Sequence, residues 1–413
     1  METKSTPFST NTFQKVWKKH FIKNKKIESF KFLEGLNFYK GRFSIFFNIG
    51  RNLTKGNSYT IKNYKDYKNK VFMIYDILPH LNTQINDFPK NLGILKSTQY
   101  PGFLIDLNQY NTIDDYLLNT FSKNTRMKMR KFTKRLDKCF NISVKMLYGK
   151  IDKEEYNKVF DYFMTLLQKR YSEKQISYNN MQPDEWSFYK EVALPLIEEK
   201  KASLFVVYDD QTPIAITYNY HTDSSLIDAI TVFDIDYSKF NIGYVNNLKL
   251  LDWCFDNDIK TLDFSKGYFD YKKRMSSMQY DFEYHIIFDK KSILSKLKAY
   301  GYHNFFKLKA YLRNKNIDIK FHKFTYKIKY KNQSKLKKKI EITKLDCLPS
   351  LDKLSEVDIL LTEDNSLLRK HVYDFLYLVV QPYNEIKSYK IKSKEGIYIL
   401  SNGKLNHQIK ILE

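Results

Sequence analysis

The chain has 413 residues, of which 70 are Lys or Arg and 46 are Asp or Glu, so its formal net charge is +24. A composition of 43% hydrophobic and 28% charged residues suits a folded protein of roughly two to three domains and excludes a disordered or fibrous one. No stretch approaches the roughly 20 apolar residues of a membrane-spanning helix, and the N-terminus lacks the apolar run of a secretory signal. These features predict a cytoplasmic protein.

The three cysteines, Cys139, Cys254 and Cys347, lie far apart in the sequence. Their spacing fits neither a disulfide framework nor a zinc site, and their odd number favours a reducing compartment. We therefore expect no structural metal.

The positive charge is concentrated in two segments. Residues 121–138 contain eight basic residues and one acid, and residues 289–340 contain seventeen basic residues and two acids. The other 343 residues carry a net charge of only +2, whereas a coding bias would have spread the excess evenly. The two segments are either solvated helix faces or surfaces that meet phosphates or anionic membrane.

The N-terminal part of the chain shows three kinds of pattern. Residues 1–26 are polar and basic without a period, which predicts a flexible arm. In residues 27–111, short apolar runs alternate with Gly, Asn and Pro clusters, as is typical of strands. Residues 112–140 predict one basic amphipathic helix, followed by a strand at 142–148 and by helices at 153–170 and 185–200.

From residue 202 the pattern changes to alternating and buried strands. Residues 202–233 predict an antiparallel meander, and a loop, a helix at 244–258 and a strand at 260–265 follow. Residues 341–413 form a small appended module that ends in a hairpin at Asn402-Gly403. Between these regions lies a basic helix at 291–314, whose apolar seam is Leu294, Leu297, Phe305, Leu308 and Leu312.

Familiar catalytic motifs are absent from the sequence: there is no GxSxG, Walker, HExxH or CxxC pattern. We interpret His221 as a turn or surface imidazole rather than a base. One arrangement does suit a ligand, because the loop after the meander ends in Gly243 at a helix N-terminus, which offers free backbone amides to a pyrophosphate. Lys239 could add a point charge there, although a single glycine at a helix start is more often an ordinary cap.

Four segments in this order resemble the GNAT acyltransferase superfamily. They are the basic helix FSKNTRMKMRKFTKRL, the meander SLFVVYDDQTPIAITYNYHTDSSLIDAITVFD, the segment FNIGYVNNLKLLDWCFDNDIKTLDFSKG and the closing GYFDYKKRM. The resemblance is to the branch associated with cellulose and envelope polysaccharides, which is similar in turn to the Fem-type aminoacyl transferases of peptidoglycan. It covers roughly residues 100–312.

The resemblance implies an α/β (α+β) fold of tandem GNAT-like type, with a mixed sheet flanked by helices. Residues 27–111 would be a degenerate N-terminal half, and residues 112–288 the acyltransferase domain. Residues 289–340 would be a basic helical extension, and residues 341–413 a C-terminal module whose role the sequence does not show.

The resemblance also implies site residues. For three of the residues given below, a structural role is the alternative: Asp263 would hold the Gly267 turn, Tyr271 would pack, and Lys272 would be a surface lysine. Asp236 is a further candidate for the general base. The expected set is catalytic Lys272, Tyr271, Asp263 and Asp234; cofactor-binding Lys239, Asn241, Gly243 and Tyr244; and substrate-binding Arg126, Arg130 and Gly267.

We expect transfer of an acyl group, in the first instance acetyl, from acyl-CoA to an amine or hydroxyl of an amino sugar or envelope-polysaccharide precursor. Phe240 and Tyr244 stand where the family has Arg or Gln and a small residue, which leaves the donor open. One alternative is a Fem-type transferase that uses aminoacyl-tRNA, and another is a non-catalytic protein that binds phosphate or a membrane surface. The expected partners are a small-molecule or lipid-linked substrate and peripheral contact with anionic membrane, without sequence-specific DNA reading.

Overall fold

The computed structural model describes residues 6–412 except for 80–83, 86–87, 177, 316 and 318–338. Much of the predicted extension at 289–340 therefore lies outside the described residues. The helices are α1 (Asn11–Phe21), α2 (Ile113–Thr120), α3 (Lys123–Cys139), α4 (Lys153–Lys174), α5 (Pro183–Glu198), α6 (Ile242–Asp256), α7 (Asp270–Met275), α8 (Ile293–Asn314) and α9 (Asn365–Val379).

The strands form two sheets. They are β1 (Ile27–Phe30), β2 (Leu33–Lys40), β3 (Ile45–Asn48), β4 (Thr60–Ile61), β5 (Val71–Ile77), β6 (Gln84–Ile85), β7 (Leu92–Asp106), β8 (Ile142–Leu147), β9 (Ala202–Asp209), β10 (Thr212–His221), β11 (Ser225–Phe233), β12 (Thr261–Lys266), β13 (Met278–Asp289), β14 (Lys339–Leu345), β15 (Leu354–Glu356), β16 (Lys387–Ile391), β17 (Ile397–Ser401) and β18 (Asn406–Leu412).

The larger sheet has the order β6-β4-β2-β3-β5-β13-β7-β12-β11-β10-β9-β8, with β1 beside β2. Most neighbours are antiparallel, but the pairs β3–β5, β4–β6 and β11–β12 are parallel. The predicted mixed sheet flanked by helices is therefore confirmed. Because β13 inserts between β5 and β7, the two halves of the chain share one sheet; that the first half is a degenerate copy stays a prediction.

The N-terminal segment is packed rather than loosely held. Helix α1 starts at Thr10, whose hydroxyl accepts a hydrogen bond from the amide of Phe13 at 3.2 Å. Its Phe13 and Trp17, one helical turn apart, are buried in the main core, and Lys19 pairs with Glu191 of α5 at 2.7 Å. The predicted flexible arm is wrong for residues 11–21, because the short apolar stripe of Phe13 and Trp17 packs into the core.

The predicted single helix at 112–140 is two helices. Helix α2 ends at Thr120, and Ser122 starts α3 by accepting a hydrogen bond from the amide of Thr125. A serine hydroxyl satisfies a first-turn amide, so it favours a new helix start over continuation. The meander β9–β10–β11 and the β17–β18 hairpin agree with the sequence expectations.

His221 differs from expectation. It ends β10 and is buried, with its Nε2 2.8 Å from the Ser203 hydroxyl and its ring stacked on Tyr148. Burial lowers the pKa of His221 to about 4. The imidazole is thus a neutral internal group rather than a surface one.

The C-terminal module has its own sheet, in the order β14-β18-β17-β16-β15. Its helix α9 packs on the loop before α6, where Arg369 pairs with Asp234 and Asp236 at 2.7 and 2.6 Å. The ring of Tyr373 lies 4.7 Å from that of Tyr237, and the apolar core is continuous across the contact. The module is therefore docked on the central region.

Helix α8 presents the predicted seam outward. Its buried residues are Ser295, Ala299 and Phe306, and the Phe306 ring stacks on Tyr284 of β13 at 3.9 Å. No helix among the described residues is long and apolar enough to cross a membrane. The five seam residues, Leu294, Leu297, Phe305, Leu308 and Leu312, are all exposed.

Candidate active site

The site lies where two parallel strands separate. Strands β11 and β12 pair from Ser225 opposite Thr261 to Ile227 opposite Asp263. Beyond these residues β11 continues along β10, and β12 continues along β7. The separation opens a cleft of about 330 Å³, within the usual range for a small-molecule site.

Helix α6 points its N-terminus at this cleft. Its N-cap residue Asn241 has a left-handed backbone (φ 54°) and makes no side-chain capping bond. The amides of Tyr244 and Val245 bond to the Asn241 carbonyl, whereas the two preceding first-turn amides have no acceptor within the helix. Asn241, Gly243 and Tyr244 all line the cleft, so free amides and the positive end of the helix dipole face the same space.

Gly243 is needed for packing at this helix start. A Cβ at this position would lie 2.8 Å from Cε1 of Phe233, at the end of β11. The Phe233 ring in turn carries the Arg170 guanidinium of α4 at 4.2 Å. Glycine thus lets an aromatic ring and a cation pack against the start of α6.

The part of the cleft wall that β12 forms contains a strained residue. Ser265 of β12 has a φ of 58°, is 2% exposed, and its hydroxyl has no hydrogen-bond partner within the described residues. Lys272 donates to the carbonyls on both sides of it, at 2.5 Å to Phe264 and 3.3 Å to Lys266. A non-glycine residue held at positive φ with an unsatisfied hydroxyl is typical of functional sites.

Lys272 is therefore a buried residue, and the surface-lysine reading is wrong. It is 7% exposed, and burial lowers its pKa while Asp228 and Asp263 oppose that change. Asp228 and Tyr271 also line the cleft, and burial raises the pKa of both. The Thr231 hydroxyl donates to Asp228 at 2.8 Å.

A second lysine reaches the cleft from the N-terminal half. Lys55 lines it and is 8% exposed, and within the described residues its Nζ has neither a hydrogen bond nor an ion pair. Burial, and next the neighbouring Lys266, lower the pKa of Lys55 to about 7. Asp76 and Asp228 oppose that change, but Asp76 is in contact with Lys266 at 2.6 Å and neither carboxylate forms an ion pair with Lys55.

Asp263 lies beside the cleft but does not line it. Its carboxylate accepts the Ser265 amide at 2.7 Å and the Tyr280 hydroxyl at 2.7 Å. Burial raises the pKa of Asp263 to about 6. These contacts match the structural reading, in which Asp263 holds the turn that leads to Gly267.

Asp234 is engaged elsewhere. Lys169 contacts both Asp234 and Asp236 at 2.5 Å, and Arg369 contacts the same two carboxylates from the other side. Neither aspartate lines the cleft, and Lys239 is exposed outside it. The structure thus does not bring these predicted residues to the cleft.

The three predicted substrate-binding residues also lie outside the cleft lining. Arg126 donates to the carbonyls of Phe121 and Leu118 at the α2–α3 junction, and Arg130 pairs with Asp114 at 3.3 Å. Gly267 has a φ of 124° and makes the turn after β12. Their roles in binding remain predictions.

Sequence reasoning missed four residues of the cleft. Asp228 and Ser265 are polar residues inside apolar strand runs, a signal that was available. Lys55 and Arg170 gave no such signal, because only the shared sheet brings the first half and α4 to the α6 start. The missed set is Lys55, Arg170, Asp228 and Ser265.

Residues 123–273, from the start of α3 to just beyond Lys272, match the family model described as an acetyltransferase (GNAT) domain. This match covers 151 of the 413 residues, a little over a third of the chain. The protein is accordingly a transferase, and the cleft, which is lined by residues of the matched segment and by Lys55, is its candidate active site. No curated protein matches the sequence.

Several solved structures resemble this chain. A conserved protein of unknown function from Bacteroides thetaiotaomicron is 6% identical, with a TM-score of 0.42 over 69% of this chain and 92% of that one. The C-terminal domain of a putative lysylphosphatidylglycerol synthetase from Agrobacterium fabrum is 8% identical, with a TM-score of 0.41 over 72% and 91%. FemX is 12% identical, with a TM-score of 0.42 over 68% and 92%. Likeness at this level identifies neither donor nor acceptor.

Proposed function

We propose that the protein transfers an acyl group from acyl-CoA to an amine or hydroxyl of an amino sugar or envelope-polysaccharide precursor, small or lipid-linked. The observation that carries this proposal is the cleft itself. Free helix amides, Arg170 and the unpaired amine of Lys55 all line it. An anionic donor and a nucleophile would therefore meet between β11 and β12.

The donor fits with its phosphates at the start of α6. Free amides and the helix dipole favour negative charge there, and Arg170 adds a full positive charge. The Tyr244 ring, which lies 5.6 Å from the Arg274 guanidinium, borders the same space. These residues replace the Arg or Gln and small residues of the family loop, so the chain keeps the chemistry of an anion site with different side chains.

The acyl carbon then lies near Ser265 and Lys272. Developing negative charge on the carbonyl oxygen would be stabilised by the free Ser265 hydroxyl and by the third N–H of the Lys272 ammonium. Lys55 accepts the proton that the attacking amine or hydroxyl loses as the new C–N or C–O bond forms. The C–S bond breaks, and the Lys55 ammonium returns that proton to the departing thiolate.

Calorimetry and a thiol-release assay test the proposal. We expect acetyl-CoA or a longer acyl-CoA to bind, and CoA to be released when amino-sugar nucleotides are added. Arg170→Met should weaken donor binding about tenfold by loss of a charge-assisted contact. Lys174→Met, one turn further along α4 and outside the cleft lining, should not. Absence of both acyl-CoA binding and CoA release would show that acyl-CoA is not the donor.

One observation favours an aminoacyl-tRNA donor instead. Helix α3 exposes a basic face that would suit a nucleic-acid backbone, comprising Lys123, Lys128, Arg130, Lys131, Lys134 and Lys138. Gel shifts with charged tRNA at rising salt distinguish the two donors, because each neutralised phosphate steepens the salt dependence. Binding of tRNA without acyl-CoA binding would establish the Fem-type version.

A further inference from the structure

Helix α8 has two apolar faces. The inner face packs on β7 and β13 through Ala299 and Phe306, and His303 Nδ1 lies 2.9 Å from the Ser97 hydroxyl. The side that points outward is also apolar, although a helix that packs on one side needs only one apolar stripe. Its Ile293 and Leu297 are 83% and 72% exposed.

The exposed apolar residues follow the helical period. The spacing is close to a multiple of the 3.6-residue helical repeat between positions 293, 297, 300, 308 and 311. These residues therefore lie on the side of the helix opposite Ala299 and Phe306. Leu294, Phe305 and Leu312 widen the same stripe. Large exposed apolar patches on folded proteins commonly mark binding surfaces. We call this stripe the outer face; it consists of Ile293, Leu294, Leu297, Tyr300, Phe305, Leu308, Tyr311 and Leu312.

Basic residues border the outer face on both sides. By helical position Lys296 and Lys307 lie along one edge, and Lys298 and Lys309 lie along the other. Helix α8 contains no Asp or Glu over its 22 residues. Basic residues on both edges of an apolar stripe are the arrangement of a helix that lies in a membrane interface.

The apolar surface extends beyond α8. Phe43 is 72% exposed, and its carbonyl accepts a hydrogen bond from Lys298 at 2.7 Å. Phe43 and Ile45 form an open groove with Tyr302 and Phe305 of the helix. The groove widens the outer face at its centre.

We infer that the outer face of α8 docks on an anionic lipid bilayer, with the helix lying along the surface. Over about 33 Å it would insert apolar side chains while the flanking lysines meet lipid phosphates. A second copy of this chain is a poorer occupant, because it would bring lysines against lysines with no acidic residue on α8 to pair with them. A bilayer satisfies both the apolar stripe and its basic edges.

Vesicle sedimentation tests this inference. Wild-type protein should bind phosphatidylglycerol vesicles, and rising salt should weaken that binding; it should bind phosphatidylcholine vesicles far less. Leu297→Asp should lower the partition coefficient on phosphatidylglycerol at least about tenfold. Leu361→Asp is the matched control, since Leu361 is 84% exposed in the C-terminal module and the charge change is the same.

Three results would overturn the inference: no binding of the wild type to either vesicle, equal binding by both variants, or a dimer in gel filtration that Leu297→Asp dissociates without a change in vesicle binding. Both substituted leucines are exposed, so both variants should keep the wild-type melting temperature. CoA release with a water-soluble acceptor should be the same for both variants. Failure of vesicle binding is thereby separate from failure of the proposed transfer.

Discussion

Burial of Lys55 lowers the stability of the fold, whereas the proposed chemistry needs this amine. Its folded pKa of about 7 lies below the unfolded value near 10.5, so the unfolded chain binds more protons between these values. Stability therefore rises with pH from about 7 to about 10. Burying this amine costs roughly 4 kcal/mol at pH 7. Retention of such a cost is characteristic of a functional group.

We predict that Lys55→Met raises the melting temperature at pH 7 and abolishes most transfer activity. In the wild type, kcat/KM should rise with pH and level off above about 7, as the amine becomes neutral. Calorimetric unfolding and a pH–rate profile measure the two effects.

Lys55→Arg separates the two roles that this amine could have. Arginine keeps the charge and cannot lose its proton, so a base role predicts loss of activity. A small primary amine added to Lys55→Ala should restore part of the rate. If Lys55→Arg retains full activity, Lys55 binds an anionic part of the acceptor and is not the base.

Some residues of the candidate site could be predicted from the sequence. The GNAT resemblance placed Gly243, Tyr271 and Lys272, and Asn241 and Tyr244 were predicted beside them; all five line the cleft, and their roles stay predictions. The resemblance could not show which carboxylates point into it, because side-chain direction depends on where β11 and β12 stop pairing. For that reason Asp228 replaces Asp234 in the cleft.

At the scale of elements, the start of α6 depends on the contact between Gly243 and Phe233. In an exposed helix, Gly→Ala usually stabilises by up to about 1 kcal/mol. Here the new methyl group would displace the Phe233 ring and with it the Arg170 guanidinium. We predict that Gly243→Ala weakens donor binding by roughly tenfold, measured by calorimetry.

A second substitution checks the cause. Phe233→Leu removes the ring, so adding Gly243→Ala to it should cost little further affinity. A full additive loss in the double variant would contradict coupling through the ring. The comparison is therefore a double-mutant cycle on one contact.

Most elements follow from their hydrophobic period, but the period does not tell which face packs. For α8 the apolar seam at Leu294, Leu297 and Leu308 was correctly placed on a helix, yet it faces outward. The packed face instead uses small residues, Ser295 and Ala299, beside one aromatic ring. Small buried residues carry little hydrophobic signal, so this orientation could not be read from sequence.

For the whole molecule, the described residues of the two segments with excess charge contribute nothing to the lining of the cleft. Helix α3 carries one basic face, and α8 carries basic edges around an apolar stripe. The C-terminal module, nearly neutral in sequence, contributes instead the ion pairs of Arg369 with Asp234 and Asp236 and a shared apolar core. The module is thus tied to the loop that leads into α6.

Substitution of Arg369 tests the contact between the C-terminal module and the loop before α6. It bonds to Asp234 and Asp236, both 5% exposed, which Lys169 contacts from the other side. We predict that Arg369→Met lowers the free energy of unfolding by roughly 2–3 kcal/mol, less than a fully buried pair because Arg369 is partly exposed and Lys169 remains. Donor affinity should also fall, since the loop before α6 loses an anchor. Lys370→Met is the control, on the same helix and paired with Asp374 at 3.6 Å. It should change neither the free energy of unfolding nor that of donor binding by more than about 0.5 kcal/mol. Equal effects of the two substitutions, in denaturant unfolding and calorimetry, would show that the module is not anchored through this cluster.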